Sequence, residues 1–247
     1  MGYKIDLHTH TIAAGHAYST LDENMGVAEK KGMEIVAYTE HGPKMMGGPH
    51  QYFFNNLKVL PDYIYGVRVL KGIECNIMNS NGSVDCEDKV LRNLDIIGAG
   101  LHRVDGGFHP GSREENTFAV INTMKTKKVD FIAHIGNPVY DIDFVEVVKA
   151  AVKYNVAIEV NNSSFQTSRP GSTANCECVV KLCKEHGAFV CLGSDSHYCE
   201  DVGALELSTK LVKKYGISED KILNTSKEIL FQFLNSNGNL IRKGKVK

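Results

Sequence analysis

Seven short apolar segments alternating with helical stretches limit what this chain can fold into more than any other feature. They cover residues 3–8, 34–39, 67–74, 95–101, 130–134, 157–160 and 189–193. Each is apolar on both faces and rich in Ile, Val, Ala and Gly, as strands covered on both sides of a parallel sheet are. The intervening stretches read as helices. Thr20-Leu21-Asp22-Glu23 and Thr225-Ser226-Lys227-Glu228 have the spacing of capping boxes, and the first opens a helix stopped at Lys30-Lys31-Gly32. Val145, Val148 and Val152 form an apolar stripe, and a helix over 175–185 turns Val179, Leu182 and Cys183 inward before Gly187.

Repeated strand–helix units join parallel neighbours by right-handed crossovers. Seven units in 247 residues predict an α/β chain folded as a single-domain distorted (β/α)7 barrel, TIM-like, over residues 1–247. An open doubly wound sheet is the alternative. The basic run 242–247 is expected to be a frayed, solvated end.

In such a barrel the C-terminal strand ends open on one face, where active sites lie. The first strand runs into Asp6-Leu7-His8-Thr9-His10-Thr11, with His16 beyond; His8 and His10, two apart, point the same way. Later ends bring Glu40 and His41, Glu74, His102, His134, and then Asp195 with His197. Seven of the ten histidines therefore fall at this face. Buried imidazoles need partners for both nitrogens, so packing alone does not gather them. Imidazole and carboxylate together suit divalent metal. The nine candidates are His8, His10, His16, His41, Glu74, His102, His134, Asp195 and His197. They exceed what one catalytic ion uses and imply two or three ions. Glu74 and Asp195 are the candidates to bridge ions or position a hydroxide, a device suited to phosphoryl transfer.

The same motifs, with Thr39-Glu40-His41-Gly42, Gly72-Ile73-Glu74 and Gly193-Ser194-Asp195-Ser196-His197, resemble the PHP (polymerase and histidinol phosphatase) superfamily. Gly136-Asn137-Pro138 and Asn161-Asn162-Ser163-Ser164-Phe165 look like its small stand-alone phosphatases of the YcdX type. The resemblance spans residues 4–234 and implies a trinuclear centre of three divalent ions, usually zinc, with manganese or iron among relatives. It implies His8, His10, Glu74 and Asp195 around one ion, Glu74, His102 and His134 around a second, and His16, His41 and His197 around the third. Glu40 stands where the motif usually has Asp, a change expected to touch the tuning of a ligand rather than binding itself. Asp6 is expected to orient a histidine rather than to bind metal.

The implied activity is a metal-dependent phosphoric monoester hydrolase acting on a small-molecule phosphate. Arg169, Asn162 and His50 are the candidates to meet the substrate. Histidinol phosphate, a nucleotide and a sugar phosphate all fit this reading. The alternatives are a PHP-type nuclease acting on DNA ends, an amidohydrolase and a non-catalytic metal-binding protein. With 28 basic against 29 acidic residues, net charge −1, the chain offers no general attraction to nucleic acid or to an anionic membrane. The amidohydrolase would need an eighth strand and a metal-bridging lysine, and neither is found. Seven cysteines in no regular framework, with no room for a signal peptide before Asp6, point to a reducing cytoplasm.

Overall fold

A computed structural model describes residues 2–104, 106–166, 168–236 and 246. Among these residues the strands are β1 (Ile5–Thr9), β2 (Ile35–His41), β3 (Tyr63–Ile64), β4 (Val67–Asn76), β5 (Ile96–Gly100), β6 (Phe131–Ile132), β7 (Ala157–Asn161) and β8 (Val190–Gly193). The α-helices are α1 (Leu21–Lys30), α2 (Gln51–Asn56), α3 (Asp88–Leu91), α4 (Arg113–Lys125), α5 (Phe144–Tyr154), α6 (Ser172–His186), α7 (Glu206–Lys214) and α8 (Lys227–Ser236). Seven strands pair in parallel in the order β1-β2-β4-β5-β6-β7-β8. The expected strands are all present. β3 is an addition: it pairs antiparallel with β4 through a tight turn whose two central residues, Tyr65 and Gly66, both have positive φ.

The sheet curls until β8 returns to β1. At the C-terminal end the seam is closed by backbone: Asp195 N–H donates to His8 C=O at 2.8 Å and His10 N–H to Ser196 C=O at 2.9 Å. Deeper in, the buried side chain of Asn224 takes over. Its Nδ2 donates to Ile5 C=O (2.7 Å) and Leu192 C=O (2.8 Å), and its Oδ1 accepts from Leu192 N–H (2.7 Å). The sheet is thereby nearly closed into a TIM-like (β/α)7 barrel.

Strand alternation divides the apolar residues into two clusters. Outward residues such as Val36, Val69, Ile97, Ile158 and Val190 pack under the helices. Inward ones, among them Ile5, Leu70, Ile96, Phe131 and Cys191, fill the barrel with Leu230, Phe233 and Leu234 of α8. Space inside is tight: a Cβ on Gly98 would lie 2.3 Å from the Phe131 ring. α8 closes one end of the barrel, leaving the C-terminal strand ends to form the open face.

One irregularity in β1 aims the first motif. Asp6 pairs with Val36 and Thr9 with Tyr38, so Leu7 and His8 together oppose the single residue Ala37. This bulge turns Leu7 and His8 both inward, whereas strict alternation would send Asp6 the same way as His8. Asp6 faces the seam instead, where its carboxylate accepts from the backbone N–H groups of Ser194 (2.9 Å), Gly203 (2.8 Å) and His8 (3.3 Å). It thus holds the backbone of His8 rather than an imidazole.

Several local expectations are corrected. In α5 only Val148 of the proposed stripe is buried, together with Val147, Ala150 and Ala151. Val145 and Val152 are exposed, because the face that α5 turns between α4 and α6 is centred on Val147, Val148 and Ala151. The last helix is capped by Ser226, whose hydroxyl accepts from Ile229 N–H at 3.3 Å, one residue later than the box read from Thr225. The run 242–247 lies outside the described residues except for Val246, which is buried and exchanges two hydrogen bonds with the Asn235 side chain. No helix among the described residues is long and apolar enough to cross a membrane.

Candidate metal centre

The C-terminal ends of the strands converge on Glu74, which is fully buried at the end of β4. Its two oxygens face different groups. Oε1 lies 2.7 Å from His134 Nε2 and 3.2 Å from His102 Nε2. Oε2 lies 2.8 Å from His41 Nδ1, 3.4 Å from His8 Nε2 and 3.6 Å from His10 Nε2. A carboxylate with a set of nitrogens on each oxygen has the disposition of a bridging ligand.

Asp195 approaches from β8. Its Oδ1 is 3.2 Å from His10 Nε2 and 3.6 Å from His8 Nε2, so His8, His10, Glu74 and Asp195 surround one point. His102 and His134, with Nε2 atoms 3.2 Å apart, meet Glu74 on its other side. At the mouth the exposed ring of His16 lies 5.0 Å from the His41 ring and 4.8 Å from that of His197. His10, His41 and His197 also present nitrogens within 4.8 Å of one another, so His10 sits between two groups. The nine candidates at the strand ends, which the resemblance divides into three sets, are thus contiguous.

The backbone is bent to build this cluster. His134 (φ 32°) and Asp195 (φ 55°) both occupy left-handed conformations that cost a side-chain-bearing residue about 1–2 kcal/mol. Neighbouring contacts offset the cost: His134 N–H donates to Glu159 Oε2 at 2.8 Å, and Asp195 N–H to His8 C=O.

The outer nitrogens of several histidines are held by acceptors, which fixes the tautomer and leaves the inner nitrogen free to ligate. His8 Nδ1 meets Glu159 Oε1 at 2.7 Å, His102 Nδ1 meets Asn76 Oδ1 at 2.8 Å, and His197 Nδ1 meets the Asp195 carbonyl at 3.0 Å. Glu40 Oε2 is 3.8 Å from His10 Nδ1, while its Oε1 accepts from the Thr11 N–H and hydroxyl. The residue in place of the usual Asp thus stands behind His10 without touching it.

Charge is unevenly met inside the pocket. Burial opposes ionisation of His8, but the Glu159, Glu74 and Asp195 carboxylates outweigh it and hold the imidazole well above its usual value. Burial likewise opposes the charge on His10, and Asp195 and Glu40 raise it to about 9. His134 and His197 go the other way: burial, with Arg169 and His10 respectively, pushes each down to about 4, leaving neutral imidazoles. Around the centre, five buried atoms among the described residues make no well-formed hydrogen bond, however close their neighbours: Glu74 Oε2, Asp195 Oδ1, His10 Nδ1, His41 Nδ1 and Glu40 Oε2. Orphaned carboxylate oxygens and imidazole nitrogens around one space are costly unless cations occupy it. The donor set therefore fits divalent metal.

Of the residues expected at the substrate, Arg169 reaches the centre: its Nη1 donates to Asp195 Oδ2 at 2.9 Å, on the side away from the histidines. Asn162 does not. It is buried and its Oδ1 accepts from Leu207 N–H (2.9 Å) and Ser208 N–H (3.0 Å), so it caps the start of α7. His50 caps α2, accepting from Tyr52 N–H at 3.3 Å with its ring against that tyrosine. Glu159 and Asn161, to which the sequence assigns no role, both face the centre; Asn161 Nδ2 donates to Glu159 Oε2 and Asp195 Oδ2, each at 3.2 Å. Strand period from Ala157 places them on one face.

No family model matches. The chain is 46% identical over 240 residues to a probable phosphatase of Clostridium novyi, covering 97% of this chain and 98% of that one. It is 50% identical over 222 residues to a probable phosphatase of Thermoanaerobacter, covering 90% of each. Among solved structures, histidinol phosphate phosphatase from Lactococcus lactis, complexed with zinc, L-histidinol and phosphate, superposes with TM-score 0.64 at 16% identity, over 87% of this chain and 95% of that one. A putative histidinol phosphatase from Listeria monocytogenes gives 0.61 at 17% identity, over 83% and 99%. At such identities these two likenesses speak to fold.

Proposed function

This chain belongs to the family of those probable phosphatases, within the PHP superfamily, and from that premise we propose that it hydrolyses small-molecule phosphate monoesters at a trinuclear divalent-metal centre. The observation that carries the reading is Glu74, whose two oxygens each face a separate set of imidazole nitrogens. His8, His10, Glu74 and Asp195 would hold one ion, Glu74, His102 and His134 a second, and His16, His41 and His197 a third. Zinc suits this nitrogen-rich donor set, with manganese or iron as further candidates. Ions held there supply charge to the phosphate oxygens and lower the pKa of water from 15.7 towards about 7.

The chain's own residues set the geometry of the reaction. In hydrolysis a water oxygen attacks phosphorus opposite the ester oxygen, the bond between phosphorus and that oxygen breaks, and alcohol and inorganic phosphate leave. Asp195 and Glu74 place fixed negative charge beside the attacking side and orient the water by accepting its hydrogen bonds. Arg169, paired with Asp195 through one nitrogen, has further donors in a planar fork that matches two phosphate oxygens. His16, the exposed member, would be the first of these residues to meet a substrate arriving from solvent.

Hydrolysis of a panel of phosphomonoesters, with bis(p-nitrophenyl) phosphate and single-stranded DNA as comparisons, tests the reading. Turnover of monoesters that is abolished by chelation and restored by added metal is expected. Equal turnover after complete chelation, or cleavage confined to DNA, would overturn it.

A further inference from the structure

Behind the centre, the segment between β4 and α3 turns Asp85 back towards the wall formed by β2 and β4. Its Oδ1 accepts from Asn76 N–H at 2.8 Å; its Oδ2 accepts from Asn76 Nδ2 at 2.6 Å and from Lys44 N–H at 2.9 Å. Room for the carboxylate exists because residue 42 is glycine: a Cβ there would lie 2.3 Å from Asp85 Oδ1. Asn76 Nδ2 also lies 3.4 Å from the Gly42 carbonyl, and Asn76 Oδ1 is 2.8 Å from His102 Nδ1.

Donor and acceptor chemistry leaves one arrangement. A carboxylate and a carbonyl only accept, so the Asn76 amide nitrogen must face Asp85 and Gly42. Its oxygen must then face His102, and that oxygen also only accepts. His102 Nδ1 must therefore carry the proton. Nε2 is then the nitrogen turned to the centre, 3.2 Å from Glu74 Oε1 and 3.2 Å from His134 Nε2. His8 and His197 depend on Glu159 and on a backbone carbonyl instead, so this chain of bonds serves one histidine.

We propose that Asp85 is a positioning residue that fixes the tautomer of His102 by locking the orientation of Asn76. The proposal rests on the metal reading only for its consequence, not for the tautomer itself. Through Lys44 N–H the same carboxylate ties down the loop that follows His41, so it couples the ends of β2 and β4.

Two variants test it. In Asp85→Ala both acceptors are lost, so the Asn76 amide nitrogen keeps only the Gly42 carbonyl at 3.4 Å and the side chain is released to rotate. Asn76→Leu removes the acceptor from His102 while keeping the branching of the side chain. Long-range 15N–1H spectra of histidine-labelled full-length protein, stripped of metal, report which ring nitrogen is protonated; the His102 signal is assigned by its loss in His102→Gln. Wild type is expected to show the Nδ1–H form, and both variants to shift towards Nε2–H while retaining the wild-type circular dichroism spectrum. Equilibrium dialysis against zinc should then show one ion bound about 10–100-fold more weakly in both variants and the others unchanged. Variants that keep the Nδ1–H form would overturn the proposal, as would wild-type affinity for every ion. If wild type itself binds no metal, the proposed function fails while the spectra still decide the role of Asp85.

Discussion

Replacing Asn224 by Leu asks whether the barrel is held shut where the structure places its weakest pairing. Between β1 and β8 the backbone is paired directly only near the C-terminal end, and deeper in Asn224 supplies three hydrogen bonds of 2.7–2.8 Å from a side chain that is 1% exposed. Leucine has the same branching and number of heavy atoms, so no cavity forms. What is lost is three bonds at roughly 1 kcal/mol each, and what remains is buried backbone polar groups stripped of their partner. Since these terms overlap, the expected loss is about 3–5 kcal/mol. For a chain of this size, at about 2–4 °C per kcal/mol, that lowers the melting temperature by roughly 10 °C. Urea unfolding followed by circular dichroism would show the midpoint falling with the slope unchanged. Hydrogen exchange at Leu192 N–H should accelerate in step. A loss under about 1 kcal/mol, or a normal exchange rate at Leu192, would mean that the seam does not depend on Asn224.

Three further outcomes are expected. Gly98→Ala should destabilise by about 1–3 kcal/mol through overpacking on Phe131, and adding Phe131→Leu should recover part of that loss; strict additivity of the two in thermal melts would contradict the contact at 2.3 Å. Because His10 is raised to about 9, it carries a proton at neutral pH in the metal-free chain and must lose it to bind metal. Zinc binding at pH 7 should therefore release protons, and its affinity should climb with pH until about 9; calorimetric heats that do not change with buffer ionisation enthalpy would refute this. Arg169→Lys should raise KM for monoesters about 10-fold with a smaller change in kcat, since a point charge replaces a planar fork. A pure kcat effect would place Arg169 elsewhere in the reaction.

The strand ends were readable because burial on both faces and a histidine or carboxylate near most of the ends are local properties of the chain. His8 and His10 were read as co-directed on strand period, and they are; the bulge that separates them from Asp6 arises from pairing with β2 and leaves no mark in β1 alone. Period also separates Asn161, which faces the centre, from Asn162, which caps α7, and this parity was there to be used. Asp85 was beyond reach, since it reaches Asn76 and Lys44 only after the chain has folded back from β4. β3 was missed because a two-residue strand has no period, although Tyr65-Gly66 is a turn signal. In α5 the reading failed for a different reason. Valines stand on both faces of this helix, so apolar spacing alone does not show that the face with Val147 and Val148 is the one between two other helices.

The central claim is that one carboxylate joins separate ions, and counting ions tests it most directly. Elemental analysis of purified protein, beside Glu74→Gln prepared in the same way, measures bound divalent metal per chain. Three ions in the wild type are expected, with at least two of them lost in Glu74→Gln because its two oxygens face different nitrogen sets. Fewer than two ions in the wild type, or an unchanged count in Glu74→Gln, would contradict the account.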